Sequence, residues 1–200
     1  MTNINKLLFN IDIPGEKPAA GKLLLAEPFL RDQYFTHSVI CLIEYEEHGT
    51  AMGIVMNHST NYTLQELLKE IKIEEPIRVY CGGPMSCDRL YYLHTLGDLI
   101  PGSREVAPGL YIGGNFEKMT EYVNSGYPID ECIRFFIGYS GWSPAQLDDE
   151  IKGNTWVVIS PPAASELLKE DDDSYWHTAV RRAGDNLRGW LYHPVNIHSN

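Results

Sequence analysis

No apolar run in this 200-residue chain approaches the length of roughly 20 residues that a membrane-spanning helix needs. The short apolar run Leu7-Leu8-Phe9 behind Lys6 is interrupted by Asn10, Asp12, Pro14 and Glu16, so no signal-peptide core is expected. A cytoplasmic location and no membrane partner follow as expectations. Cysteine is scarce. Of the four, Cys81 and Cys87 are separated by five residues, outside the usual zinc intervals, and Cys41 and Cys132 stand apart. Cys41 lies inside Val39-Ile40-Cys41-Leu42-Ile43 and reads as a small buried hydrophobe. The histidines form no His-x-x-x-His pair, and His193 and His198 fall in a C-terminal tail. Neither a metal nor any other cofactor is expected.

Basic residues are outnumbered, 16 against 27 acidic, for a formal charge of -11. The densest basic spot is Arg181-Arg182 with Arg188, and it follows the acidic run from Glu170 to Asp173. Nucleic-acid binding draws on clustered Lys and Arg that release counterions, so the net charge argues against direct binding to DNA or RNA. Solubility is the simpler reading of the acidic balance. Tyr175 and Trp176 fit core anchors of a last helix better than base-stacking platforms, which are interleaved with basic residues.

With 44% hydrophobic residues and no low-complexity linker, the chain has material for one substantial core. Strands are predicted over 22–26, 37–45, 50–56, 77–81, 89–94, 109–112, 133–139 and 155–159. The segment 37–45 is apolar on both alternating faces, which places it inside a sheet. Thr63 and Glu66 form a capping box for a helix carrying Leu64, Leu67, Leu68 and Ile71, with Tyr62 stapling onto Leu67. Asn115 caps a second helix that stops at Gly126, Ser160-Pro161 opens a third through Leu168, and a last one runs from about Ser174 to Gly184. Strands dominate the first two thirds, with helices inserted rather than alternating. The expected fold is therefore α+β, a single domain whose mixed, largely antiparallel sheet curls into a partial barrel with peripheral helices.

The most specific segment is Gly138-Tyr139-Ser140-Gly141-Trp142-Ser143-Pro144-Ala145-Gln146-Leu147-Asp148-Asp149-Glu150. As structure, Gly138 and Gly141 permit a sharp strand-to-helix turn, Ser143 caps, Pro144 takes the first helical position and Gln146 closes the box. Trp142 can staple onto Leu147, and the three acidic residues favour the positive end of the helix dipole. As a site, Tyr139, Trp142, Gln146 and Glu150 could present aromatic and polar groups at the mouth of a cleft. Ser140 is not a nucleophile elbow, because Trp142 occupies the position of that motif's second glycine. Three further positions are candidates. Gly82-Gly83-Pro84 could offer backbone N–H groups to an anion, although Pro84 removes one donor, no Lys follows, and a tight turn suffices. His94 is the best placed general base, against the simpler reading of a hydrogen-bonded structural histidine. Asn57 reads as a turn-former bonded to nearby backbone.

Taken in order, Gly21 to Pro28, Phe35 with Ser38-Val39-Ile40, Gly53 to Asn57, Gly82-Gly83-Pro84, Leu93-His94, the Gly138 to Glu150 segment and Trp156 resemble the YqgE/AlgH family of small bacterial proteins. The likeness runs from about Gly21 to Gly184, which leaves 1–20 as an irregular N-terminal segment and 185–200 as a tail packed on or trailing the domain. It implies an α+β pseudo-barrel and little chemistry; some members carry the label of transcriptional regulator. Ser140 and Met85 stand where the family commonly has Ala and Val. The function expected is a non-catalytic binding or regulatory module for a protein or small-molecule ligand, with Asn57, Gly82, Gly83, His94, Tyr139, Trp142, Gln146 and Glu150 as its candidate surface. The alternatives are a regulator acting through protein partners, and a hydrolase-like enzyme using His94 with residues near Ser140.

Overall fold

The computed structural model describes residues 15–169 and 175–192. The acidic run 170–173, the start of the last helix at Ser174, His193, His198 and the apolar residues 7–9 lie outside the described residues.

Among the described residues, ten strands form one curled sheet: β1 (Leu23–Ala26), β2 (Val39–Tyr45), β3 (Ala51–Val55), β4 (Ser59–Thr63), β5 (Arg78–Cys81), β6 (Met85–His94), β7 (Arg104–Ala107), β8 (Leu110–Ile112), β9 (Ile133–Trp142) and β10 (Trp156–Ile159). Their order is β10-β1-β2-β3-β9-β6-β8-β7, with β5 also on β9 and β4 on β5. Every pair is antiparallel except β5 with β9. Curling brings the far strand β7 back beside β1 and β2. Arg104 bonds the Glu44 carboxylate at 2.8 Å, and Gly21 donates to Leu42 O while sitting so close to Ala107 that a Cβ there would meet it at 2.7 Å. This is the α+β half-barrel that the strand pattern implies.

The alternation of side chains sorts the core. Leu23, Leu25, Val39, Cys41, Ile43, Phe136, Val157 and Ile159 share one cluster, covered by α4 (Ala164–Leu168) and α5 (Tyr175–Arg182). Leu24, Ile40, Leu42, Trp142, Trp156 and Val158 point the other way, beneath α3 (Gln146–Lys152). β1 and β2 are buried on both faces, as the doubly apolar run of β2 requires. A third cluster, Val79, Tyr92, Ile133 and Phe135, packs under Met119 and Val123 of α2 (Phe116–Asn124). Asn115 caps that helix by accepting from Lys118 N, and Gly126 follows it at φ 70°. Tyr175 and Trp176 are the expected anchors of α5; their hydroxyl and indole reach Leu167 O and Ala26 O.

Four local readings need correction. The helix capped by Thr63 and Glu66 makes a single turn, α1 (Leu64–Leu67), and Tyr62 is exposed rather than stapled. Leu68 is already extended because the Gln65 side chain binds the returning backbone at Ile73, Glu75 and Ile77. The polar stretch before that helix is strand β4, whose hydrophilic residues hid it. β9 does not stop at Tyr139 but continues through both glycines to Trp142. Finally, α4 begins at Ala164 rather than at Pro161, with Ser160 held instead by the Glu16 carboxylate.

The strand order poses a steric problem at β9. β5 and β6 are joined only by Gly82-Gly83-Pro84, yet β9 lies between them, parallel to one and antiparallel to the other. The connecting chain must therefore pass directly over the β9 backbone. A Cβ on Gly82 would stand 2.3 Å from Gly138 O, one on Gly83 2.3 Å from Tyr139 C, and one on Gly138 2.4 Å from Gly83 O. Glycine is required at each because the obstacle is main chain, which cannot swing aside. Gly138 additionally has φ 72°. Gly138→Ala should lower the unfolding free energy in urea by more than about 3 kcal/mol. Gly126→Ala has nearly the same backbone angle, φ 70°, but nothing within 4 Å of its Cβ. It should cost about 1 kcal/mol; equal losses for the two variants would refute the steric account.

Candidate functional site

The candidate residues fall into four places. The first is the crossing. Gly82 and Gly83 are buried there; Gly82 N donates to Ile137 O, and Gly82 O accepts from Val55 N and from the Ser140 hydroxyl at 3.2 Å. The Gly82 amide is thus spent on the sheet and does not form an anion nest. Ser140 is fully buried and turned into this junction. Tyr139 packs edge-on against Tyr91, ring centres 5.8 Å apart.

The second place is α3. Ala145 adopts φ 62°, so the helix starts at Gln146 and Pro144 is not its first residue. Half of the expected box survives, with Gln146 Oε1 accepting from Ser143 N–H at 3.1 Å. Glu150 is turned inward beneath Trp142 and Trp156. Its Oε2 accepts both indole N–H groups, at 2.8 and 2.7 Å, and its Oε1 accepts the Gln146 amide at 2.9 Å. Trp142 and Trp156 are 6% and 3% exposed. Trp142, Gln146 and Glu150 do converge, but as a polar lock on the buried tryptophans rather than the mouth of a cleft. Asp148 performs a similar task at the β2–β3 turn, accepting from Tyr45 Oη and His48 N, and the Tyr45 bond holds its carboxyl below the usual range.

The third place is His94, at the other end of β9. Its Nδ1 accepts from Leu96 N–H at 3.1 Å, which leaves Nε2 to carry the proton and donate to Gly113 O at 2.9 Å. Both nitrogens are occupied by backbone, and burial pushes its pKa down. His94 pairs with Ile133, while Ser140 lies seven residues further along the same strand. At strand rise this is about 23 Å, so the histidine and serine of the hydrolase reading cannot act together. The fourth place is Asn57. It is not a local turn-former: its Oδ1 accepts from Val39 N and its Nδ2 donates to His37 O, pinning the end of β3 to the start of β2.

Two open clefts lie elsewhere, side by side along β10. One, of about 130 Å³, is apolar and lined by Leu23, Ile159, Pro162, Tyr175, Thr178 and Ala179. The other, of about 370 Å³, is lined by Glu16, Val157 to Pro161, Ala183 and Asn186. Arg182 lines both and is paired across to Glu166. The apolar cleft's rim residue Lys169 is fixed from below by Arg134, a buried guanidinium that donates to Lys169 O and to Met56 O and lies 4.4 Å over the Tyr80 ring. Sequence reasoning missed these clefts. The available signals were Pro161-Pro162, which stop β10 from running straight into a helix, and the Arg181-Arg182 end of α5.

The fold is shared with known structures. A Corynebacterium diphtheriae protein matches with a TM-score of 0.73 at 22% identity, covering 93% of this chain and 97% of its own. The AlgH protein of Pseudomonas aeruginosa matches with a TM-score of 0.67 at 25% identity, covering 90% and 97%. Proteins of the UPF0301 group from Parabacteroides distasonis and Bacteroides thetaiotaomicron are 39% and 40% identical, over 98% and 96% of both chains. A family model described as AlgH-like matches residues 23–188. The chain belongs to this AlgH-like family.

Two tests follow from these contacts. Glu150→Ala strands two buried indole donors and should cost about 2–4 kcal/mol with a red shift of tryptophan emission, whereas Gln146→Ala should cost under about 0.5 kcal/mol. Near-native emission in Glu150→Ala would contradict the lock. Burial also lowers the pKa values of His37, His58 and His94. An unfolded chain then binds more protons than the native one below about pH 6.5, so their contribution is complete above that value and lost as pH falls through the native pKa values. Glu27, raised by burial, acts in the opposite sense, one group against three. The urea midpoint should be lower at pH 5.5 than at pH 7.5; an unchanged or higher midpoint would count against neutral buried histidines.

Proposed function

We propose that this AlgH-like protein is a non-catalytic binding module and that its ligand occupies the paired clefts along β10. The observation that carries this reading is where hydrogen-bonding capacity is spent. Ser140, His94 and Glu150, the signature groups with chemical potential, are satisfied by the protein's own backbone and indoles. The clefts differ in being open rather than in holding unspent charges: Glu16 is bonded to Ser160 and Arg182 to Glu166. These polar groups, with the exposed Asn186, line recesses beside apolar Leu23, Ile159 and Ala179, the composition of a small-molecule site. A regulatory role would then act by ligand occupancy, consistent with a charge of -11 that offers little to phosphate backbones.

The test is a thermal-shift screen with metabolites, repeated on Thr178→Trp and Asn186→Trp. Both positions are exposed and line the clefts, so the indole fills space without disturbing the core. A ligand present at one hundred times its dissociation constant stabilises by about 2.7 kcal/mol and raises Tm by several degrees. At least one variant should abolish that shift. A ligand whose shift survives both substitutions binds elsewhere and overturns the assignment.

A further inference from the structure

The crossing brings together two of the four cysteines. Cys81 ends β5 on one edge of β9, and Cys87 belongs to β6 on the other edge. Strands separated by a third would normally hold such residues apart. Here the chain arcs over Gly138, and Ser86 at φ 49° turns Cys87 back toward the arc. Both thiols then reach the same carbonyl: Cys81 Sγ is 3.8 Å and Cys87 Sγ 3.7 Å from Gly83 O. Cys87 Sγ is also 3.3 Å from Pro84 O. Two sulfurs that share one oxygen lie within twice that contact distance of each other.

Pairing separates the two from Cys132, which is half-buried like Cys81, and exposure separates them from Cys41. Cys87 is exposed and Cys81 half-buried, whereas Cys41 is fully buried and burial pushes its thiol up to about 12. The register of β6 on β9 slips between Met85 and Leu90, so Cys87 sits in a bulged stretch rather than a fixed ladder. That slack is what closure of a disulfide between the two Cα positions requires.

We propose that Cys81 and Cys87 form a reversible redox-modification site that exchanges with low-molecular-weight disulfides. The Cys87 thiolate attacks one sulfur of glutathione disulfide, forming a mixed disulfide and releasing one glutathione thiolate. Cys81, once deprotonated, attacks the Cys87 sulfur and expels the second glutathione. The protein loses two electrons and two protons, and one glutathione disulfide becomes two glutathione thiols. The product is a short covalent ring closed over Gly138, the crossing that joins β5 to β6.

The probe is glutathione disulfide in excess on the native full-length protein, followed by iodoacetamide, unfolding and trypsin. Residues 79–89 contain both cysteines and no internal Lys or Arg, so one tryptic peptide reports on both. The expected result is that this peptide escapes alkylation and is lighter than the dithiol by two hydrogens, and that dithiothreitol restores it. Cys81→Ser should instead keep a stable glutathione adduct on Cys87. Should that variant fail to fold, Cys87→Ser, at an exposed position, should leave Cys81 without an internal disulfide and abolish the two-hydrogen loss. A persistent glutathione adduct on Cys87 in the native sequence would overturn the pairing. So would a native protein whose peptide 79–89 is alkylated in full after glutathione disulfide treatment.

Discussion

The passage of one main chain over another at Gly138 is the constraint on which this fold depends. β9 has β5 and then β3 along one edge and β6 along the other, and the two strands joined by Gly82-Gly83-Pro84 must straddle it. Backbone meets backbone below normal Cβ contact distance at three glycines, so no repacking of side chains can substitute for them. The crossing also collects the bonds that join the two halves of the sheet: Val55 N to Gly82 O, Gly82 N to Ile137 O and Cys81 N to His58 O. The Ser140 hydroxyl closes the same junction on Gly82 O.

This constraint changes what the family signature means. Glycines, a serine and aromatics in a short segment invite a catalytic reading, but each has a structural task. Gly138 admits the crossing chain. Ser140 fills its underside. Trp142 and Trp156 are locked by Glu150, which serves two indole donors at once. A carboxylate so engaged is a costly residue to lose, because removing it leaves two buried donors unpaired. Chain geometry therefore accounts for the signature, and the open surface lies on the other side of β1 and β10, under α4 and α5.

Much of the fold was legible because periodicity and caps act locally. The doubly apolar β2, the Asn115 cap and the anchors Tyr175 and Trp176 could be read from the chain directly. What escaped was non-local. Gln65 shortens a well-capped helix by binding backbone eight to twelve residues away, and Asn57 reaches β2 rather than its own turn. The Gly82–Gly83 and Gly138 motifs were each visible as turns, but only the strand order shows that they face one another. For the candidate site the sequence grouped eight residues that the fold distributes over the length of β9 and beyond. The β10 clefts, built from Glu16, Ser160, Thr178 and Arg182, are far apart in sequence and carry no motif.

The most direct measurement of the central claim is native-state amide hydrogen exchange at the crossing. The amides of Val55, Cys81 and Gly82 should exchange only through global unfolding, with the same free energy and denaturant dependence as the most protected amides of β2. Exchange at these three positions through a local opening well below the global free energy, while β2 stays closed, would contradict it.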